Sequence, residues 1–309
     1  MDWQAAIHYA RLVKAAADIA PDAECGTNVT VPMQGAPISY AVLGNIFAND
    51  LATESNDARR ELVVSIGYVA QDDAGNVVVA IRGTHGIHEW LHDFRYFAVP
   101  CPFLPDAGHT EDGFTEVYMS LRVGSHEDSP RVRDAIAAMS FPQPVKSLTI
   151  CGHSLGAALA TLLALDLAAN TQYKDVSLFT YASPRTGDSR FAEVFNQYVP
   201  KTIRIANQSD LITEVPPDFL GRISQYRHVE ATAVLDPGDA VGKHILCMHH
   251  LTTYLYLMAA KAGLNVEEYP LRVECCPQPK KMSFTLPHDP SPNQERIDAS
   301  EPPMDSALT

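Results

Sequence analysis

A chain of 309 residues, 46% of them apolar and 19% charged, can bury a full hydrophobic core and needs neither disulfides nor a structural metal to fold. Its 23 Lys and Arg stand against 37 Asp and Glu, a formal charge of −14. That balance excludes nucleic acid or anionic membrane as a partner recognised by charge alone, and the composition excludes collagen-like, coiled-coil and wholly disordered chains.

The N-terminus, MDWQAAIHYARLVKAAADIA, lacks a basic start, an unbroken apolar centre and a small-residue cleavage site, so it does not read as a secretory signal. Trp3, Ile7, Ala10 and Val13 recur at helical spacing. The most apolar stretches, 157–165 and 251–260, are about half the roughly 20 residues that cross a bilayer. Cys25, Cys101, Cys151, Cys247, Cys275 and Cys276 show no CxxC and no zinc spacing, and adjacent Cys275 and Cys276 cannot bridge without strain. The expectation is a reduced protein, cytoplasmic as written, secreted if a leader has been removed.

Residues 61–82 read as a hairpin, with DDAGN supplying the turn. Helices are predicted at 111–122 and 131–139. An alternation follows: strand 145–151, helix 154–170, strand 176–183, helix 188–198 and strand 201–206. A further strand is expected at 226–235 and a helix at 249–262, ended by Gly263. Strands alternating with helices imply a mostly parallel sheet covered on both faces. From 277 on, seven of 33 residues are Pro, Gly is absent and no periodicity survives. Residues 1–276 are therefore expected as one domain and 277–309 as a disordered tail.

The strongest motif is Gly152-His153-Ser154-Leu155-Gly156, set between the strand VKSLTIC and the helix LGAALATLLALDLAA. A G-x-S-x-G at a strand–turn–helix junction is the arrangement of a nucleophile elbow, although an ordinary βα turn with a capping serine uses the same residue types. The elbow pushes the Ser154 hydroxyl above the sheet, and the helix start leaves the Leu155 N–H free for an oxyanion. A serine needs a base and an orienting acid. Asp210 follows the strand KTIRIA at the sheet edge where α/β folds place their sites. Asp188 fits a helix N-cap better, and Asp218 lies in a proline loop. His228, His244, His249 and His250 are the downstream bases; His228 falls in a predicted strand, and of the adjacent pair only one can face Ser154.

Several segments resemble the class 3 lipases, the fungal-type triacylglycerol lipase family: VVVAIRGT (77–84), Trp90 with Asp93, Asp112-Gly113-Phe114 with Tyr118, GHSLGAALA (152–160), FTYASPRTGD (179–188), NQSDLITEVPP (207–217) and HHLTTYL (249–255). The resemblance covers about residues 60–260 in the family's order. It implies an α/β-hydrolase fold with Ser154 as nucleophile and Asp210 as the triad acid. It also implies Thr84 and the Leu155 N–H as the oxyanion hole. The family's late histidine is often followed five residues on by Tyr, which favours His249, with Tyr254, over His250. Two departures are Glu111, where the family usually has His or a similar residue, and Ala157 in place of a second Gly.

In HGIHEWLHDFRYFAV, residues Ile87, Trp90, Leu91, Phe94, Phe97 and Ala98 form one apolar stripe opposite His85, His88, Glu89, His92 and Arg95. The resemblance makes 85–98 a lid beside the oxyanion hole; a fixed core helix has the same periodicity. The three histidines suit charge switches better than metal ligands. Asn28 and Asn207 match glycosylation acceptors, but a glycan at Asn207 crowds Asp210, and both are discounted. The expected function is hydrolysis of carboxylic esters, foremost acylglycerols, without metal or cofactor. The alternatives are an esterase for soluble or phenolic esters and a non-catalytic hydrolase-fold binding protein. The expected partner is an ester or lipid substrate, with no nucleic acid.

Overall fold

The computed structural model describes residues 1–18, 26–32, 36–49, 63–84, 97–126, 128–218, 225–230 and 232–277. Helix α1 (Trp3–Asp18) precedes β1 (Asn28–Val31), β2 (Ile38–Asn49), β3 (Val63–Asp72) and β4 (Asn76–Ile81), four strands in an antiparallel meander. Short strands β5 (Ala98–Pro100) and β6 (His109–Glu111), helix α2 (Asp112–Ser120), β7 (Arg122–Val123) and α3 (Val132–Ala138) follow. Next come β8 (Ser147–His153), α4 (Leu155–Asn170), β9 (Val176–Tyr181), β10 (Gly187–Asp188), α5 (Ser189–Tyr198) and β11 (Lys201–Asn207). After a 3-10 turn at Leu211–Glu214 the chain forms β12 (Tyr226–Arg227), β13 (Thr232–Leu235), α6 (Ile245–His249) and α7 (Leu251–Lys261). Two more 3-10 turns, Val266–Glu268 and Val273–Cys275, close the described part.

The main sheet runs β1-β2-β3-β4-β8-β9-β11-β13, with β7 added to β2. From β4 onward every pairing is parallel. A second, small antiparallel sheet has the order β12-β10-β6-β5. Both faces of the main sheet are covered, so β4 is an unbroken apolar run: Val77, Val79 and Ile81 pack with α2 and α4, Val78 and Ala80 with α1 and α7. Helix α4 lies under so much structure that all of 156–168 is buried, and it is accordingly apolar all round. Its one buried acid, Asp166, accepts hydrogen bonds from Tyr118 Oη at 2.6 Å and Asn170 Nδ2 at 2.7 Å and pairs with Arg133. This is the architecture of an α/β-hydrolase.

Four expectations change. The strand foreseen at 226–235 is two strands in different sheets, β12 and β13, with residues 228–230 outside either strand. The last helix is broken: His250, at φ −59° and ψ 137°, separates α6 from α7, so His249 closes a short helix instead of opening a long one. The long strand β2 was not foreseen; its apolar run is interrupted by Gly44 and shifts register twice against β3. The cysteines are not all reduced, since Cys247 and Cys275 form a disulfide across 28 residues, a pairing created by the return of the chain over α7. The lid segment lies outside the described residues except Phe97 and Ala98, and Ala98 is in strand β5. Met1–Pro277 is one compact unit; residues 278–309 lie outside those described.

Candidate active site

The elbow is built by backbone contact. Ser154 sits at φ 58° and ψ −128° between β8 and α4, a conformation that costs a non-glycine residue on the order of 1–3 kcal/mol and persists only where neighbours enforce it. Those neighbours are close. A Cβ on Gly152 would lie 2.2 Å from the Gly156 carbonyl oxygen, and one on Gly156 would lie 2.4 Å from the Ile81 and Arg82 oxygens. Gly83 packs on the Ser154 side chain so tightly that a Cβ there would be 3.0 Å from Ser154 Cβ. Ser154 N–H donates to Tyr181 O at 3.0 Å. The hydroxyl is buried, and Ser154 Oγ has no hydrogen-bond partner among the described residues.

The end of β4 leads directly to this point. Arg82 donates from Nε to Ser65 O at 3.1 Å and from Nη1 to Gly83 O at 2.9 Å, fixing the turn that carries Thr84. Burial lowers the pKa of that guanidinium. Leu155 begins α4, so its N–H has no acceptor within the helix. Thr84, Gly83, Ser154 and His249 line one cavity of about 770 Å³.

Asp210 follows β11 and is buried. Its carboxylate accepts from Ile212 N at 3.0 Å, from Tyr254 Oη at 2.8 Å, and from His249 Nδ1 at 2.9 Å on Oδ2. With Nδ1 facing the acid, His249 turns Nε2 away; that nitrogen is buried and has no hydrogen-bond partner among the described residues. Of the two adjacent histidines, then, His249 meets Asp210. His250 accepts through its carbonyl from Thr253 and Tyr254 N–H at the start of α7, and burial pushes its imidazole down to about 4. His228 donates from Nε2 to Thr213 O at 2.8 Å, and burial, with Arg204 and Arg185 nearby, pushes it down to about 3. His244 caps α6. Asp188 caps α5, accepting from Phe191 N.

Four side chains not foreseen as functional frame this arrangement. His153 donates from Nε2 to His249 O at 2.8 Å, and burial holds its pKa well below the ordinary value, so it is a neutral donor. Asn207, fully buried, donates to Met248 O at 2.8 Å, and its N–H donates to Tyr254 Oη at 3.0 Å. Cys247 and Cys275 tie α6 to the last turn. His153 was legible as part of the elbow motif and Asn207 as the start of NQSD; the cysteine pair left no local signal. Glu111 caps α2, accepting from Phe114 N at 2.8 Å, and burial pushes its carboxyl up to about 7.

Residues 78–220 match the model of the family described as Lipase (class 3). The chain is 34% identical over 195 residues to the chloroplastic phospholipase A(1) DAD1 of Arabidopsis thaliana, covering 56% of this chain and 42% of that protein. It is 31% identical over 173 residues to secreted mono- and diacylglycerol lipase 1 of Fusarium solani, covering 55% and 47%. The chain thus spans about half the length of the curated relatives it matches. The solved Rhizomucor miehei lipase propeptide complex shares its fold with a TM-score of 0.56 at 20% identity, covering 75% of this chain and 67% of that one. The matched stretch, residues 78–220, takes in the elbow, the turn after β4 and the loop after β11, so in these parts the chain is similar to the class 3 lipase family.

Proposed function

We propose that this protein hydrolyses acyl esters of glycerolipids, foremost acylglycerols, through an acyl-enzyme on Ser154. The observation that carries the reading is a matched pair of unsatisfied atoms. Ser154 Oγ and His249 Nε2 are both buried, both without a partner among the described residues, and both residues line the same cavity, while Asp210 satisfies the other imidazole nitrogen. Leaving two such atoms unpaired is costly in a structural core, and in the proposed reaction they are the donor and acceptor of one proton, passed from Oγ to Nε2.

In the proposed reaction His249 Nε2 takes the Ser154 proton as Oγ attacks the ester carbonyl. Asp210 holds the imidazole in the tautomer with Nδ1 protonated and stabilises its charge. Thr84 and the Leu155 N–H donate to the tetrahedral oxyanion, a contribution typically of several kcal/mol. The imidazolium then protonates the departing alcohol, and water attacks the acyl-enzyme by the reverse route. The relatives' printed activities, on phospholipid and on mono- and diacylglycerol, share one chemistry: an acyl ester on glycerol.

The test is initial rate on tributyrin and triolein across the solubility limit, wild type beside Ser154→Ala. A Ser154-dependent rise as emulsion forms supports the lipase reading. Smooth saturation on tributyrin with no turnover of triolein makes the protein an esterase for soluble esters. Failure of Ser154 to react with an organophosphonate would sink the nucleophile assignment altogether.

A further inference from the structure

Helix α6 is five residues long and carries His249 at its last position. A helix this short does not hold itself together, since an isolated helix is marginal even at about 12–15 residues. Its position must come from outside, and the ties divide unevenly along it. At the C-terminal end three donors hold carbonyls: Thr253 Oγ1 to Cys247 O at 2.6 Å, Asn207 Nδ2 to Met248 O at 2.8 Å and His153 Nε2 to His249 O at 2.8 Å. At the N-terminal end the cap is a long contact, His244 Nδ1 accepting from Leu246 N at 3.3 Å. The covalent tie is at the middle residue, Cys247 Sγ to Cys275 Sγ. Cys275 is itself fully buried and anchored, its carbonyl accepting from Gly242 N at 2.8 Å.

We infer that the Cys247–Cys275 bridge is a positioning element for His249, fixing the short helix so that the imidazole reaches both Asp210 and the elbow. The inference rests on the reading of His249 as the base. The bridged residue stands two positions before the imidazole, and its partner turn also carries Arg272 and Glu274 to the wall of the same cavity. Cutting the bridge leaves α6 held by its three carbonyl bonds and the long cap contact, with more freedom to pivot about Asn207 and Thr253. A reacting group displaced by about 1 Å loses on the order of 100-fold in rate.

The experiment compares wild type, Cys275→Ser, and Cys276→Ser as the control. Cys275 does not line the cavity, and Cys276 is exposed and unbridged. With p-nitrophenyl butyrate, Cys275→Ser is expected to lower kcat about 10- to 100-fold with KM little changed, and Cys276→Ser to match wild type. Amide exchange is expected to accelerate at least about tenfold across 246–250 and not at 155–159. Should Cys275→Ser fail to fold, native protein treated with dithiothreitol serves instead. The bridge takes two electrons and two protons, giving two thiols, while the reagent closes to its cyclic disulfide; activity then returns on reoxidation. Unchanged kcat and unchanged exchange at 246–250 overturn the inference, as does a rise in KM alone. If wild type shows no Ser154-dependent hydrolysis, the ester-hydrolase reading has failed, and the exchange comparison still decides whether the bridge holds α6.

Discussion

Ser154 and His249 face one cavity but are held there by opposite means. The elbow is fixed by backbone packing, with Gly83, Gly152 and Gly156 letting three segments come within van der Waals contact of each other. The histidine arm is fixed by side chains reaching from β8, β11, α7 and the Val273–Cys275 turn. A strained φ of 58° can be stored at the elbow because backbone contacts leave it nowhere to relax. The histidine needs no strain, and its arm is a set of separable bonds. The elbow should therefore fail all at once, and the histidine arm by degrees.

Removing the nucleophile gives the largest effect: Ser154→Ala should lower kcat on the order of 10⁵-fold or more, while thermal stability holds or rises as strained Oγ burial is relieved. Asp210→Asn should cost about 10⁴-fold in kcat through the wrong imidazole tautomer, with KM unchanged in a steady-state assay. The contrast between arms is tested most directly by Gly156→Ala. Its methyl meets two carbonyl oxygens, so a loss of about 2–4 kcal/mol in urea unfolding is expected. Wild-type stability there would show that the elbow is not held by backbone packing.

On the other arm, Tyr254→Phe removes a hydrogen bond to a charged acceptor, worth about 1.5 kcal/mol, and the acceptor of the buried Asn207 N–H, and should lower kcat about tenfold without unfolding the protein. A loss as large as that of Asp210→Asn would mean the histidine arm is not modular. Glu111→Gln lies outside both arms and should leave turnover unchanged. Its folded-state carboxyl is raised to about 7 from 4.5. The folded protein thus binds the extra proton between those values, and stability is fully present below about pH 4.5 and lost as pH rises through 7. The variant should lose that slope in Tm against pH.

The same division decides what the sequence could reveal. Gly152, Ser154 and Gly156 sit within five residues between a strand and a helix, so local pattern sufficed. Asp210 was legible for a similar reason, one turn beyond an apolar strand. The choice between His249 and His250 was not local. It depends on the break at His250, which depends on Asn207, 41 residues away in sequence from Met248. Spacing to Tyr254 favoured His249, and in the structure the Tyr254 hydroxyl bridges Asp210, which His249 meets, and the Asn207 N–H. Strand β2 stayed hidden because Gly44 and the register shifts break its alternation, and the residues 226–235 because one apolar segment serves two sheets.

Strand β2 has a further consequence. Its outer edge is long and largely apolar, the kind of edge that recruits a strand from another molecule. It is sealed in pieces: β1 pairs with residues 38–41, Val42 bonds to Gly26 and Thr27, Asn45 O accepts from Gly124 N, and β7 pairs with Ile46 and Phe47. Among the described residues, what the sheet offers beyond that is the short strands β1, β7 and β13. The strand that carries none of the proposed chemistry thereby has little open edge on which another molecule's strand could pair.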